Sequence, residues 1–223
     1  MKNLIWYKPL LKAVASPLIA FALILFYHHQ NYPFPELSSW KGWWSWFSLG
    51  IFYTHIFEYL HHRFALHYGL PGLKWMRASH REHHRVFHRL NYKTNNPADL
   101  EEISSRWYIF PALLFIHYFF FLILLPNKYR IFAPLFFLGI LPRFLAYETT
   151  HYFSHLADNF FDRWIAKIPL LRKFRAYQDR HHFRHHVREE INFGFVPDYL
   201  PDLIGKTLFP SPKFWRWLKH RNI

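Results

Sequence analysis

The chain contains no cysteine among its 223 residues. That absence excludes disulfide scaffolds, thiolate zinc sites, iron–sulfur clusters, cysteine nucleophiles and covalent haem attachment. Glycine is scarce, at 7 residues, which argues against disordered or low-complexity linkers. Acidic residues are few as well: 14 Asp and Glu face 28 Lys and Arg, a net charge of +14. Such a balance suits an anionic partner, nucleic acid or a phospholipid surface, and charge alone does not choose between them. What the chain has in quantity is aromatic residues (22%) and histidine (18). The length fits one domain, residues 1–223, with a core of ordinary size.

A mean hydropathy of −0.12 averages very apolar windows with stretches packed with His and Arg. Leu10 to Tyr27 is apolar apart from Lys12 near its start, where a long side chain can snorkel to headgroups. Trp43 to Phe57 is uncharged and opens with Trp43, Trp44 and Trp46, aromatics of the kind that collect at a membrane interface. Trp107 to Asn127 is 21 residues without a charge, and Ile131 to Tyr147 carries only Arg143 and is broken by Pro134 and Pro142. These windows predict an all-α integral membrane protein with four transmembrane helices in two hairpins. The first is read as a retained anchor and not a signal peptide, because no small-residue cleavage site follows it. Residues 58–106 and 148–190 hold eight Lys and Arg each, whereas residues 28–41 hold only Lys41. The positive-inside rule then puts both basic regions, and the N-terminus, on the cytoplasmic side. Pro210 to Ile223, aromatic and cationic, reads as an interfacial helix or a packed tail.

The histidines concentrate in the two basic regions, in four clusters: His62 and His67; His80, His83 and His84; His151 and His155; His182, His185 and His186. Spacings of three and four put imidazoles on one helix face, one turn apart, where they can reach a common ion. His62 and His67 break the rule, since five residues at about 100° each leave them about 140° apart. Either the helix bulges or ends there, or the two serve different metals. Ten imidazoles among so many cations would gain protons and repel one another unless something favoured the neutral form. A divalent metal does so by taking the lone pair. Ten nitrogens exceed the need of one ion and match two, forming a dimetal site in a cytoplasmic helical cap. Glu58, Glu148 and Asp179, three or four residues before a histidine, are candidates to hold the second ring nitrogen. Imidazole suits Zn, Cu, Fe or Ni, so ligand type leaves the ion open.

The set H-x4-H, H-x2-HH, H-x3-H, H-x2-HH, with a hydrophobic hairpin between the second and third clusters, resembles the fatty acid hydroxylase superfamily of membrane di-metal oxygenases. Glu58 to His67 (EYLHHRFALH) and Tyr147 to His155 (YETTHYFSH) are similar to the first and third boxes of its fatty acid 2-hydroxylases. Asn192-Phe193-Gly194, Asp202 and Thr207 are similar to the family's closing segment. The resemblance covers about residues 45–210. It implies that His62, His67, His80, His83, His84, His151, His155, His182, His185 and His186 ligate two iron ions, with zinc able to occupy the sites in isolated protein. It further implies O2 as co-substrate and hydroxylation of a fatty acyl chain, at C2 of a fatty acid or lipid-linked acyl group, in a bacterial inner membrane or the ER. The second box departs from the 2-hydroxylase pattern: Arg85 to Tyr92 follows it in place of a Pro-rich stretch, and there is no b-type cytochrome domain. A sterol desaturase or a carotenoid hydroxylase of the same superfamily is the alternative.

Reduction of O2 draws on electrons that no flavin or haem module here supplies, so a separate reductase with a small carrier is the expected partner, with nucleic acid not expected. Arg63, Tyr152 and Asn192 are candidates for headgroup contact or for packing. His28 and His29 are expected at the outer interface, His220 in the basic tail, and His55 and His117 inside spans as core or helix–helix hydrogen-bonding groups. His61, His88 and His181 adjoin the clusters, as outer partners or, with the register shifted by one, as alternative ligands. Two readings from other classes compete: a membrane cytochrome with axial histidines, and a nucleic-acid or membrane-surface binder.

Overall fold

A computed structural model describes residues 6–32, 40–194 and 200–204. Within them all regular structure is helical, without a strand. Four long helices form the body: α1 (Lys8–Asn31), α2 (Trp40–Leu60), α4 (Ile109–Leu124) and α6 (Ala133–Ser154). Between α2 and α4 lie a π-helical segment (His61–Tyr68), α3 (Lys74–Val86) and a 3-10 turn (Pro97–Glu102). The short α5 (Asn127–Arg130) joins α4 to α6, and α7 (Phe160–Ile165), α8 (Pro169–Val187) and α9 (Leu200–Ile204) follow. Pro210 to Ile223, Thr207 and residues 33–39 of the first predicted hairpin loop lie outside the described residues.

One of the four, α1, is both long and apolar enough to cross a bilayer; α4 is apolar but only 16 residues. At 1.5 Å per residue that is about 24 Å, short of a hydrocarbon core of about 30 Å. The others are long but carry charges: Lys41 and Glu58 in α2, Arg143 and Glu148 in α6. Neither proline expected to break the fourth segment does so. Pro134 sits in the first turn of α6, where a missing N–H costs nothing, and the helix continues through Pro142. The outer faces of α1, α2 and α4 are apolar and exposed, with Phe26, Trp44 and Ile123 at 67%, 63% and 73%.

The long helices pack across the predicted hairpins. α1 lies against α4 and α6, and α2 lies chiefly against α6. α6 is therefore the central helix, with Phe136, Phe137, Leu141 and Phe144 buried. Its approach to α2 is close enough for backbones to touch. A Cβ on Gly50 would stand 2.0 Å from the Phe136 carbonyl oxygen, and one on Gly139 would stand 2.2 Å from that of Phe47. Small residues at crossing points are how apolar helices gain contact when no water drives them together. Gly50→Ala and Gly139→Ala must push the two helices apart. Each should cost about 1–3 kcal/mol, the range for overpacked interiors, and lower thermal stability in detergent. Gly42→Ala, whose Cβ would meet only the Phe132 ring at 3.3 Å, should be tolerated. Equal unfolding temperatures for all three variants would contradict the packing described.

Candidate metal centre

The ten histidines singled out by spacing converge at one end of the long helices. They divide into two groups of five, His62, His67, His80, His84 and His185 in one, His83, His151, His155, His182 and His186 in the other. In each group the five ligating atoms lie within 4.8 Å of one another. The clusters of the sequence are not the clusters of the site. α3 gives His80 and His84, one turn apart, to the first group and His83 to the second. α8 gives His185 to the first and His182 and His186 to the second. Both helices lie along the seam, so the two groups abut, with the His84 and His186 rings 4.3 Å apart.

The π-helical segment settles the spacing of His62 and His67. A ladder of i→i+5 hydrogen bonds stacks residues five apart on one face, and the two ring centroids stand 5.1 Å apart. Gly69, at φ 72, ends the segment in a left-handed conformation that suits glycine.

Main-chain carbonyls aim the rings. Nδ1 donates to the carbonyl of Phe193 from His62 (2.7 Å), of Glu102 from His83 (2.7 Å), of Tyr92 from His155 (2.8 Å) and of Ile191 from His185 (2.7 Å). His186 Nδ1 donates to the Phe87 carbonyl. These bonds hold the proton on Nδ1 and leave Nε2 a bare lone pair. Yet the Nε2 atoms face one another. His83 and His186 meet at 3.3 Å, His62 and His80 at 3.1 Å, and His155 and His182 at 3.1 Å. For His83 and His186 neither nitrogen has a proton to give, so the approach is lone pair against lone pair. A cation between them turns that repulsion into binding. The spacing fits: at a metal–nitrogen distance of about 2.1 Å, ligands at right angles are about 3.0 Å apart and opposite ligands about 4.2 Å apart. The donor set is nitrogen only and can hold a metal ion in each group.

Glu58, Glu148 and Asp179 do other work. Glu58 pairs with Arg143 at 2.9 Å, Glu148 accepts from the Ser105 N–H at 3.3 Å, and Asp179 pairs with Lys93 at 3.3 Å and accepts from the Tyr92 hydroxyl. The missed partner is Asp202. Fully buried, it accepts from the N–H groups of Phe193 (2.8 Å) and Gly194 (2.6 Å), fixing the turn whose Phe193 carbonyl holds His62. Asn192, at φ 58, donates to the His181 carbonyl in the same turn. Of the headgroup candidates, Arg63 packs over the Tyr59 and Phe193 rings and the Tyr152 hydroxyl donates to the Trp6 carbonyl, so both serve packing, as does Asn192. His88 is exposed and accepts from the Leu90 N–H.

A cavity of about 330 Å³ opens onto both groups, reaching His62 and His80 of one and His83 and His151 of the other. One limb runs between α2, α4 and α6 past Phe57, Leu114, Phe137, Leu141 and Phe144. The mouth is polar, lined by Lys12, Glu101, Arg106 and Trp107, and Lys12 and Glu101 pair across it at 3.6 Å. From Phe137 to His151 along α6 the cavity wall extends about 21 Å at 1.5 Å per residue, more than the roughly 15 Å of one leaflet's hydrocarbon. No family model, curated protein or solved structure matches the chain.

Burial is the main force on the histidine protons. It holds His62 and His83 down to about 4 and His67 to about 2, and the other seven also titrate well below 6.5, with neighbouring imidazoles adding to the effect. All ten are therefore neutral and ready to ligate at pH 7. Because the unfolded chain binds protons from about pH 6.5 and the folded chain does not, stability is full above 6.5 and falls as pH drops toward 4. Unfolding temperature and bound metal should decline together across that window; a flat profile would count against buried neutral ligands. Elemental analysis of purified protein should give two ions per chain. His155→Ala or His67→Ala should each remove about one, since the five-membered groups are separate.

Proposed function

We propose that the chain is a multi-pass membrane di-metal oxygenase of the fatty acid hydroxylase superfamily, hydroxylating an acyl chain at C2 of a fatty acid or lipid-linked acyl group. The observation that carries this reading is the joint one: two all-histidine groups of five at the inner end of an apolar cavity. Zinc is nearly always four-coordinate in structural sites, so five nitrogens per group favour a metal that accepts more ligands. Two iron ions fit that preference and the resemblance of the histidine boxes. Iron held there would supply the activation of O2 that attack on an unactivated C–H bond demands.

The protein's own part is to bind, orient and exclude water. Phe57, Leu114, Phe137, Leu141 and Phe144 receive the chain, and their apolar surfaces keep water from the limb. An acyl chain lying there brings one carbon to the histidine end in a fixed orientation, and positioning of this sort accounts for a large share of a rate. Lys12 and Arg106 at the mouth suit an anionic or phosphorylated headgroup. The exposed apolar faces of α1, α2 and α4 support the four-span reading, with Glu58 of α2 and Arg143 and Glu148 of α6 toward the histidine end and Lys41 at the opposite end of α2. Glu58 and Arg143 pair with each other at that level at 2.9 Å. The basic surface around α3 and α8 then lies on the cytoplasmic side of a bacterial inner or ER membrane, where a small acidic electron carrier can dock.

The test is lipid analysis of cells expressing the wild type beside His151→Ala. Wild-type cells should accumulate 2-hydroxy acyl chains dependent on O2, and the variant should lose them by at least about a hundredfold, the loss seen when a metal site or its supports fail. Unchanged acyl lipids in the wild type sink the 2-hydroxylase assignment; a new double bond or a modified sterol or carotenoid assigns the reaction to a relative within the superfamily.

A further inference from the structure

His117 stands in the apolar limb of the cavity, in the middle of α4, outside both histidine groups. Its Nδ1 donates to the Leu113 carbonyl one turn back at 2.6 Å, so Nε2 carries the lone pair. The ring is held edge-on against Phe57, centroids 4.7 Å apart at 85°, and against Tyr53 at 5.8 Å and 70°. Phe57 in turn is stacked at 5.5 Å on His61, whose Nε2 is buried without a hydrogen-bond partner. His61 also lines the cavity. Two imidazole nitrogens that bind no partner within the protein thus flank one phenylalanine, about one helical turn from the metal-ligating His62.

An acceptor lone pair in an apolar channel is unfavourable unless a donor reaches it. Phe57, Leu114 and Phe137 line the limb beside the ring, with Tyr53 and His61 the polar groups near it. Of the donors nearby, the Thr54 hydroxyl is engaged with the Gly50 carbonyl at 2.7 Å. We propose that His117 Nε2 is a specificity-determining acceptor that takes a hydroxyl or amide N–H carried by the substrate chain. This rests on the reading that the cavity takes an acyl chain. It selects chains that bring a hydrogen-bond donor into the limb over those bearing only acceptors, an ester or an ionised carboxylate.

Equilibrium binding of the metal-loaded full chain in detergent, without reductant, tests this with three probes: hexadecanol, hexadecanamide and methyl palmitate. The wild type should bind the alcohol or the amide about tenfold more tightly than the ester, the worth of one neutral hydrogen bond. A stronger alcohol assigns the donor as a hydroxyl, and a stronger amide assigns it as N–H. His117→Leu should bring the three within about twofold of one another, with metal content and ester affinity unchanged. His117→Gln, whose side-chain oxygen still accepts, should keep part of the preference. Equal binding of all three by the wild type overturns the proposal, as does a preference that survives in His117→Leu. Since no turnover is needed, this outcome is independent of whether hydroxylated lipid is found in cells.

Discussion

Imidazole lone pairs that face one another at about 3 Å are the constraint on which the rest of this structure depends. In water each Nε2 would find a donor; here burial has removed the water, and at five of the ten rings a carbonyl that accepts from Nδ1–H keeps the proton off Nε2. The end of the molecule that holds them is therefore a set of repulsive contacts awaiting a cation. That explains why so many weak restraints are spent on aiming rings. A metal bound there would contribute to folding, because the unfolded chain offers no comparable site.

The scaffold meets this demand by placing the ligands on the continuations of its most tightly packed helices. α2 and α6 touch backbone to backbone at Gly50 and Gly139, and each then carries ligands beyond the contact, His62 and His67 after α2, His151 and His155 at the end of α6. Arg175 locks α8 to the same end, through Asp162 at 2.8 Å and the Ser154 hydroxyl at 2.9 Å, and so positions His182, His185 and His186. A displacement at the glycine contact is felt at the histidines because the helices between them are stiff.

How much of this was legible in the sequence follows from the range of each interaction. Eight of the ten histidines could be read because helical spacing is local: residues three or four apart share a face whatever the tertiary fold. Their division into two groups could not, since α3 and α8 each serve both sides and only their placement along the seam decides which ring turns which way. His62 and His67 exposed the limit of the α-helical rule, and the misfit itself marked the π-helical segment. The carboxylates went wrong for the same reason that the clusters went right. Glu58, Glu148 and Asp179 lie at helical spacing from a histidine, but Arg143, Ser105 and Lys93, distant in sequence, claim them. Main-chain carbonyls have no signature in a sequence, so the groups that aim the rings were invisible. Helix extent was readable from the apolar windows, whereas the cross-hairpin packing of α1 on α4 and of α2 on α6 depends on shape at small residues.

Using carbonyls in place of carboxylates at five of the ten rings has an electrostatic consequence. A carboxylate beside each ring would add negative charge to the centre and raise the basicity of its imidazole. Neutral carbonyls fix the tautomer without adding charge, so the site remains more cationic once metals are bound. The same choice ties ligand geometry to backbone integrity. Phe193, Ile191, Phe87 and Tyr92 sit at turns and helix ends, where fraying is easiest. Asp202 answers this at one such point by clamping two consecutive N–H groups of the turn that holds His62. A fully buried carboxylate far from any histidine in sequence thus governs a ligand it never touches, through two main-chain hydrogen bonds and one carbonyl.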